Sequence, residues 1–398
     1  MKKTWRWFGK KDRITFDMLR QIGVEGIVTA LYDTPNGEVW ETEAIREVKH
    51  TIENAGFHWA VVESLPVAET IKYGGKDRDT CIEHYKQSLA NLGRAGIRTV
   101  CYNFMPVIDW IRTDLACPCP DGTTSLFFSK TRFAYFDCHI LGRKDAARDY
   151  TPQEMARVEA LAHTITPAEE EALVDTIIVK TQGFIHGNIR TGERHPVALF
   201  RRLLAPYEGM KAEDLRDNLR YFLREVIPVC ETWGINLCIH PDDPPWPVLG
   251  LPRIVTGGED IARILRCVDN PRNGLTFCAG SLSAGAGNDL PDLARRFAGR
   301  THYVHLRSTE LLPGGDFREA SHLQGGGRLV EVARIFEEIH PGLPMRIDHG
   351  RLMFDDATRG YNPGYSFFGR MYALAQMDGV LAAIHSLESH QPLLKEKQ

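Results

Sequence analysis

Eight short apolar runs rich in β-branched residues, set apart by amphipathic helical stretches, constrain this chain more than any other feature. They are Trp5–Phe8, Gly26–Leu31, Phe57–Val62, Ile97–Phe104, Ile235–His240, Gly274–Cys278, Thr301–Leu306 and Pro344–Asp348. Helical spacing of apolar residues marks Glu41–Ala55, Asp79–Ala95, Ala212–Trp233, Glu259–Val268, Asp289–Phe297 and Leu329–Ile339 between them. Gly56, Gly96, Gly234 and Gly299 follow helices, where a left-handed cap is expected. Such alternation predicts parallel βα units, and eight of them close into an α/β fold of the (β/α)8 TIM-barrel type. An open doubly wound sheet is the structural rival. Its nucleotide-binding versions lose ground, because the chain has no Gly-x-Gly-x-x-Gly after the first run and no P-loop.

One gap breaks the rhythm. The 130 residues between Phe104 and Ile235 far exceed the roughly 30 that one barrel unit takes. The chain is therefore expected to be a single barrel domain over 1–398, with a long, mostly helical insertion after strand four. That insertion, 107–210, forms a lid or subdomain on the catalytic face, since it follows a barrel strand. Its helical patterns are Pro152–His163 and Pro167–Lys180, and its aromatic run from Leu126 to Phe136 supplies a core of its own or an oligomer contact.

Of the 398 residues 43% are hydrophobic, enough for a large core, and the net charge is −4. A nucleic-acid binder carries a basic excess, so that class is disfavoured. No apolar run approaches the roughly 18 residues of a membrane span. The basic N-terminus lacks an apolar signal core, and nine cysteines, an odd number, read as reduced cytoplasmic thiols.

Four consecutive late strand ends deliver His240, Cys278, His305 and Asp348 to one rim, where barrel active sites lie. Two neutral imidazoles, a thiolate and a carboxylate suit a divalent transition ion: Mn²⁺, Fe²⁺, Co²⁺ or Zn²⁺. A hard Mg²⁺ or Ca²⁺ site avoids sulfur and imidazole. Each residue alone has a blander reading, such as a core thiol, a bonded core histidine or a loop cap. The set of four in neighbouring strands outweighs those readings. His349, next to Asp348, is a candidate acid or base. Arg307 is a candidate to hold a substrate carboxylate by a bidentate fork, and Arg351 either does the same or pairs with an acidic neighbour. Tyr361 and Tyr365 offer phenols after the eighth run, and His186 and Arg190 are substrate contacts reaching from the insertion. Glu63, Asn103 and His58 line earlier strand ends as structural groups. Cys117, Cys119 and Cys138 do not have a standard zinc-knuckle spacing.

Five segments together carry a family resemblance: Arg6-Trp7-Phe8-Gly9, Ile239-His240-Pro241-Asp242-Asp243-Pro244-Pro245, Thr276-Phe277-Cys278-Ala279-Gly280-Ser281, Val304-His305-Leu306-Arg307 and Ile347-Asp348-His349-Gly350-Arg351. The chain resembles the mannonate dehydratases over nearly its whole length. The resemblance implies a xylose-isomerase-like barrel, Mn²⁺ or Fe²⁺ as cofactor, and conversion of D-mannonate to 2-dehydro-3-deoxy-D-gluconate plus water in hexuronate breakdown. It implies His240, Cys278, His305 and Asp348 as metal ligands. It also implies His349 and a loop tyrosine, Tyr365 in preference to Tyr361, as the acid/base pair, with Arg307 beside them. A small sugar acid is the expected partner, with a homodimer plausible for a chain with so large an insertion. An aldose–ketose isomerase on the same barrel is the alternative. A repair-type phosphodiesterase and a non-catalytic scaffold trail it.

Overall fold

A computed structural model describes residues 1–183, 189 and 192–395. His186 and Arg190 lie outside the described residues. The described residues form twelve strands: β1 (Lys2–Arg6), β2 (Gly26–Thr29), β3 (His58–Glu63), β4 (Thr99–Tyr102), β5 (Asp114–Pro118), β6 (Thr124–Phe128), β7 (Asn236–Ile239), β8 (Asn273–Cys278), β9 (Thr301–Leu306), β10 (Thr309–Leu311), β11 (Phe317–Glu319) and β12 (Pro344–Ile347). Eight close into a barrel in the order β1-β12-β9-β8-β7-β4-β3-β2, with every pairing parallel. These are the eight runs read from the sequence. The helices expected over Ala212–Trp233 and Leu329–Ile339 form with those bounds.

Alternation along the strands sorts side chains between two environments. Ile27, Val62, Val100, Leu237, Leu275, Phe277, Val304 and Met345 pack outward into the main core against the helices. Val28, Val61, Cys101, Cys238 and Tyr303 form a separate cluster that plugs the barrel. The same inward parity, one step further toward the strand ends, falls on Glu63, His240, Cys278, His305 and Asp348. The period of two that builds the plug thus also aims the chemistry. His58 has the opposite fate: it opens β3, exposed, away from the rim.

Gly56, Gly96 and Gly234 adopt the left-handed conformation expected after a helix. Gly299 does not; it sits inside the short 3₁₀ turn Ala298–Arg300, so no left-handed cap is needed there.

The connection after β4 is mostly helical and has its own apolar cluster, in which Ile111, Phe128, Phe133, Phe136, Ile177 and Phe200 are buried. Thr151 and Thr166 each open a helix with a reciprocal capping box and proline in the first turn. The insertion also supplies β5 and β6, which the periodicity did not reveal. They join β10 and β11 in a small antiparallel sheet ordered β10-β11-β6-β5. This sheet ties the insertion to the loop that follows β9. Among the described residues, no helix is long and apolar enough to cross a membrane.

Candidate metal centre and active site

The rim gathers the late strand ends. His240 Nε2 and His305 Nδ1 lie 3.2 Å apart, and ligand atoms of His240, Cys278 and His305 all fall within 4.8 Å of one another. Among the described residues, this is the one group of three or more His, Cys, Asp or Glu side chains so arranged. The Cys117 and Cys119 thiols instead sit in the β5–β6 hairpin, where Cys119 Sγ contacts Ser125 Oγ. Asp348 stands beside the triple rather than inside it. Its Oδ2 is 3.9 Å from Cys278 Sγ and 3.6 Å from His305 Nδ1, and it accepts from Arg307 Nε at 2.8 Å. Its Oδ1 accepts from Arg346.

Electrostatics favour an anionic donor set. Burial alone would push the Cys278 thiol up, but the Arg307 guanidinium and the His240 imidazole hold it well below the usual thiol range. Burial would lower His240; the Cys278 thiolate raises it to about 10 instead. His305 Nε2 is buried without a hydrogen bond. Once His240 gives up its proton, its Nε2 and His305 Nδ1 stand beside a thiolate as a donor set that suits a divalent transition cation. The residues present therefore fit the ion that the resemblance implies.

Around this centre runs a chain of alternating buried charges. Arg6 donates to Glu63 at 3.2 Å, and Arg346 donates to both Glu63 oxygens at 2.9 and 2.7 Å. Arg307 bridges Asp348, Glu319 and Asp243. Arg112, from the insertion, donates to Asp243 at 2.7 Å and to Glu319 at 2.6 Å. Four guanidinium groups thus meet four carboxylates, which is how such charges tolerate burial. Burial would raise Asp348, but Arg346, His349 and His305 hold it well below the usual carboxylate range.

This network engages two arginines singled out in the sequence. Arg307 was expected to grip a substrate carboxylate, yet Nε, Nη1 and Nη2 already donate to protein acceptors. It holds Asp348, lowers the Cys278 thiol, and also lines the cleft described below. Arg351 pairs with Asp121 and donates to Thr123 Oγ1 at 3.2 Å. It braces the loop between β5 and β6 and does not line the cleft.

Beside the centre lies a cleft of about 910 Å³, its open mouth included, lined by Arg6, His240, Asp348, His349 and Tyr365 among others. His349 packs against Trp110, with ring centroids 4.7 Å apart, and edge-on to Tyr365 at 5.4 Å. The Tyr365 hydroxyl accepts from Arg6 Nη1 at 3.0 Å. Burial pushes this phenol up to about 12. Gly364 permits the approach: its φ is +81°, and a Cβ there would meet His349 Cδ2 at 2.8 Å. Tyr361 packs against the main core instead.

Sequence reasoning missed Arg112, Glu319, Trp110 and Arg346, and treated Glu63 as merely structural. Arg346 and Glu63 had a usable signal, the inward parity that they share with Asp348 and Cys278. Arg112 and Glu319 lie outside the barrel strands and carried none.

Gly280 offers a test of the network. A Cβ at this position would lie 2.3 Å from Arg307 Cγ and 2.5 Å from its Nη1. Gly280→Ala is therefore expected to displace Arg307 from Asp348. Changes of this outer kind typically cost about 10- to 100-fold in metal affinity or activity. Metal titration of the variant checks it, and wild-type affinity would show that Arg307 does not organise the centre.

The chain matches the D-mannonate dehydratase (UxuA) family model over residues 1–391. It is 46% identical over 396 residues to a mannonate dehydratase of Chromohalobacter salexigens, covering 97% of this chain and 100% of that one. It is 43% identical over 396 residues to that of Marinomonas sp., again covering 97% of this chain and all of the relative. The crystal structure of mannonate dehydratase from Streptococcus suis serotype 2 superposes with a TM-score of 0.77 at 34% identity, covering 98% of this chain and 95% of that one. A D-tagatose 3-epimerase-like protein, at 10% identity and a TM-score of 0.51 over 97% of this chain and 99% of that one, shares the barrel alone. Matches this long, on a barrel whose late strand ends converge as described, make the chain an enzyme of the lyase class and a member of the mannonate dehydratase family.

Proposed function

We propose that this enzyme removes water from D-mannonate to give 2-dehydro-3-deoxy-D-gluconate, using Mn²⁺ or Fe²⁺ held by His240, Cys278, His305 and Asp348. The observation that carries the reading is the convergence of two imidazoles and a low-pKa thiol beside a cleft flanked by His349 and Tyr365. The proton on C2 of a sugar acid is weakly acidic, because the neighbouring carboxylate resists further negative charge. A bound divalent ion supplies Lewis-acid stabilisation of the charge that builds on the carboxylate oxygens.

The protein's own groups do the rest. His349 takes the C2 proton. Tyr365 donates to the departing C3 hydroxyl, a role that suits a phenol pushed up to about 12, and the enol left behind ketonises as its C2 hydroxyl loses a proton and C3 gains one. Arg6 orients that phenol. Trp110 covers His349 and keeps water from its face. Arg307 and Arg346 hold Asp348 in place. The expected homodimer and cytoplasmic setting belong to the same reading. All nine cysteines are free thiols, which suits a reducing compartment, and light scattering tests the dimer.

The test is a metal-stripped enzyme supplied with Mn²⁺ or Fe²⁺ and D-mannonate, without oxygen, while 2-keto-3-deoxy acid is followed. Metal-dependent product is expected. Folded protein that binds one ion per chain yet makes no product with either metal would bring the aldose–ketose isomerase reading forward.

A further inference from the structure

We propose that Glu319 is the positioning residue for His349: it fixes the ring with hydrogen on Nδ1, leaving Nε2 as the atom that accepts the proton. The insertion completes this device through Arg112. The proposal rests on the reading of His349 as the proton-moving group.

Three donors converge on one oxygen. Glu319 Oε1 accepts from Arg112 Nη2 at 2.6 Å and from Arg307 Nη1 at 2.9 Å, and lies 3.2 Å from His349 Nδ1. Burial would raise the Glu319 carboxyl, but Arg307 and Arg112 bring it down to about 2. An ionised oxygen between two guanidinium groups presents only electron pairs, so the ring nitrogen facing it must carry the hydrogen. The other nitrogen has no comparable partner in Asp348. Nε2 is 3.8 Å from Asp348 Oδ1, beyond hydrogen-bond reach, and that oxygen already accepts from Arg346. Trp110 and Tyr365 both pack against the ring, which restricts its movement.

The architecture explains why this carboxylate is so well placed. Glu319 closes β11, which pairs with β10 through Thr309↔Glu319 and with β6 through Phe317↔Phe128. The small sheet thus carries a residue from the loop after β9 over the rim, and its β6 comes from the insertion. Arg112 precedes β5 in the same insertion. Its guanidinium is fully buried and clamps Asp243 and Glu319 together. On this account the insertion is part of the acid/base apparatus as well as a cover.

Two measurements test the proposal. The first is neutron diffraction from deuterium-exchanged crystals of the wild-type metal-loaded enzyme, which needs no variant and no assay. Deuterium on His349 Nδ1 alone is expected; deuterium on Nε2 overturns the assignment whatever the substrate proves to be. The second is a double-mutant cycle on D-mannonate. Glu319→Gln should lower kcat about 10- to 100-fold with KM within about twofold, the scale seen when a group orienting a functional histidine is removed. In a His349→Ala background the same change should cost less than about twofold, because there is no ring left to position. Equal losses in both backgrounds would make Glu319 a structural residue and overturn the proposal. Full activity in His349→Ala would overturn it by a separate route, through the histidine's role, while the neutron map would still report the tautomer.

Discussion

Cys278→Ser is expected to empty the centre and lower kcat/KM by about 10³-fold. Serine keeps the size and a polar atom but not the charge. The thiol is held well below its usual range by Arg307 and His240 against the cost of burial, so the native side chain enters the site as a thiolate. A serine hydroxyl stays protonated at neutral pH. The donor set then loses one of its two negative charges and its soft ligand, the atom that favours a transition ion over Mg²⁺ or Ca²⁺. Lewis-acid stabilisation amounts to several kcal/mol, and about 1.4 kcal/mol is a factor of ten, which sets the scale. Elemental analysis should fall from one ion per chain to near none after dialysis. Cys238→Ser is the matched control. That thiol is buried too, but in the barrel plug, where it contacts Val100 O. It should cost stability and leave metal content intact. A Cys278→Ser enzyme that keeps its ion and more than a third of its activity would remove the thiolate from the ligand set.

The contrast between those two cysteines shows how far the sequence could be read. Both sit on barrel strands with inward parity, and strand-end position alone separates the rim residue from the plug residue. Parity and position together mark Cys278, His305 and Asp348, because a parallel strand repeats its geometry every two residues. The same rule applied one step back would have marked Arg346, and applied to the end of β3 it would have marked Glu63. The small sheet had no such rule to expose it. β10 and β11 have three residues each, and their register with β6 joins Phe317 to Phe128 across a wide sequence gap. Local pattern does not encode a pairing of that kind.

Residue type was a weaker guide than place. Arg307 was read as a fork for a substrate carboxylate, Arg351 as that or as the partner of an acidic neighbour, and each grips a carboxylate of the protein. A buried guanidinium must be paired wherever it lies, so its chemistry cannot tell a substrate from a neighbouring Asp. The partners of Arg112 make the same point. Glu319 is 207 residues away, and nothing near either residue announces the pair. The rim residues were legible because the fold repeats; Arg112 and Glu319 were not, because they come from the insertion and from the loop after β9.

Tyr365→Phe should lower kcat by about 10²- to 10⁴-fold, the range for a lost general acid, with a much smaller change in KM. Tyr361→Phe should stay within about twofold, since that side chain packs on the main core rather than on the cleft. The geometry makes the loss chemical rather than structural. The Tyr365 ring keeps its edge-on contacts with Phe8 and His349 when the hydroxyl goes, and Arg6 retains Glu63 as a partner. What disappears is the hydroxyl, a phenol protonated at neutral pH and pushed up further, to about 12, by burial. A substrate analogue with fluorine in place of the C3 hydroxyl sharpens the test, because fluoride leaves with far less need of a proton. The wild-type enzyme should outrun Tyr365→Phe by a wide margin on D-mannonate and by a narrow one on the 3-fluoro analogue. An equal deficit on both substrates would deny Tyr365 the role of acid to the leaving group, and a variant retaining more than a tenth of wild-type kcat would remove it from the chemistry altogether.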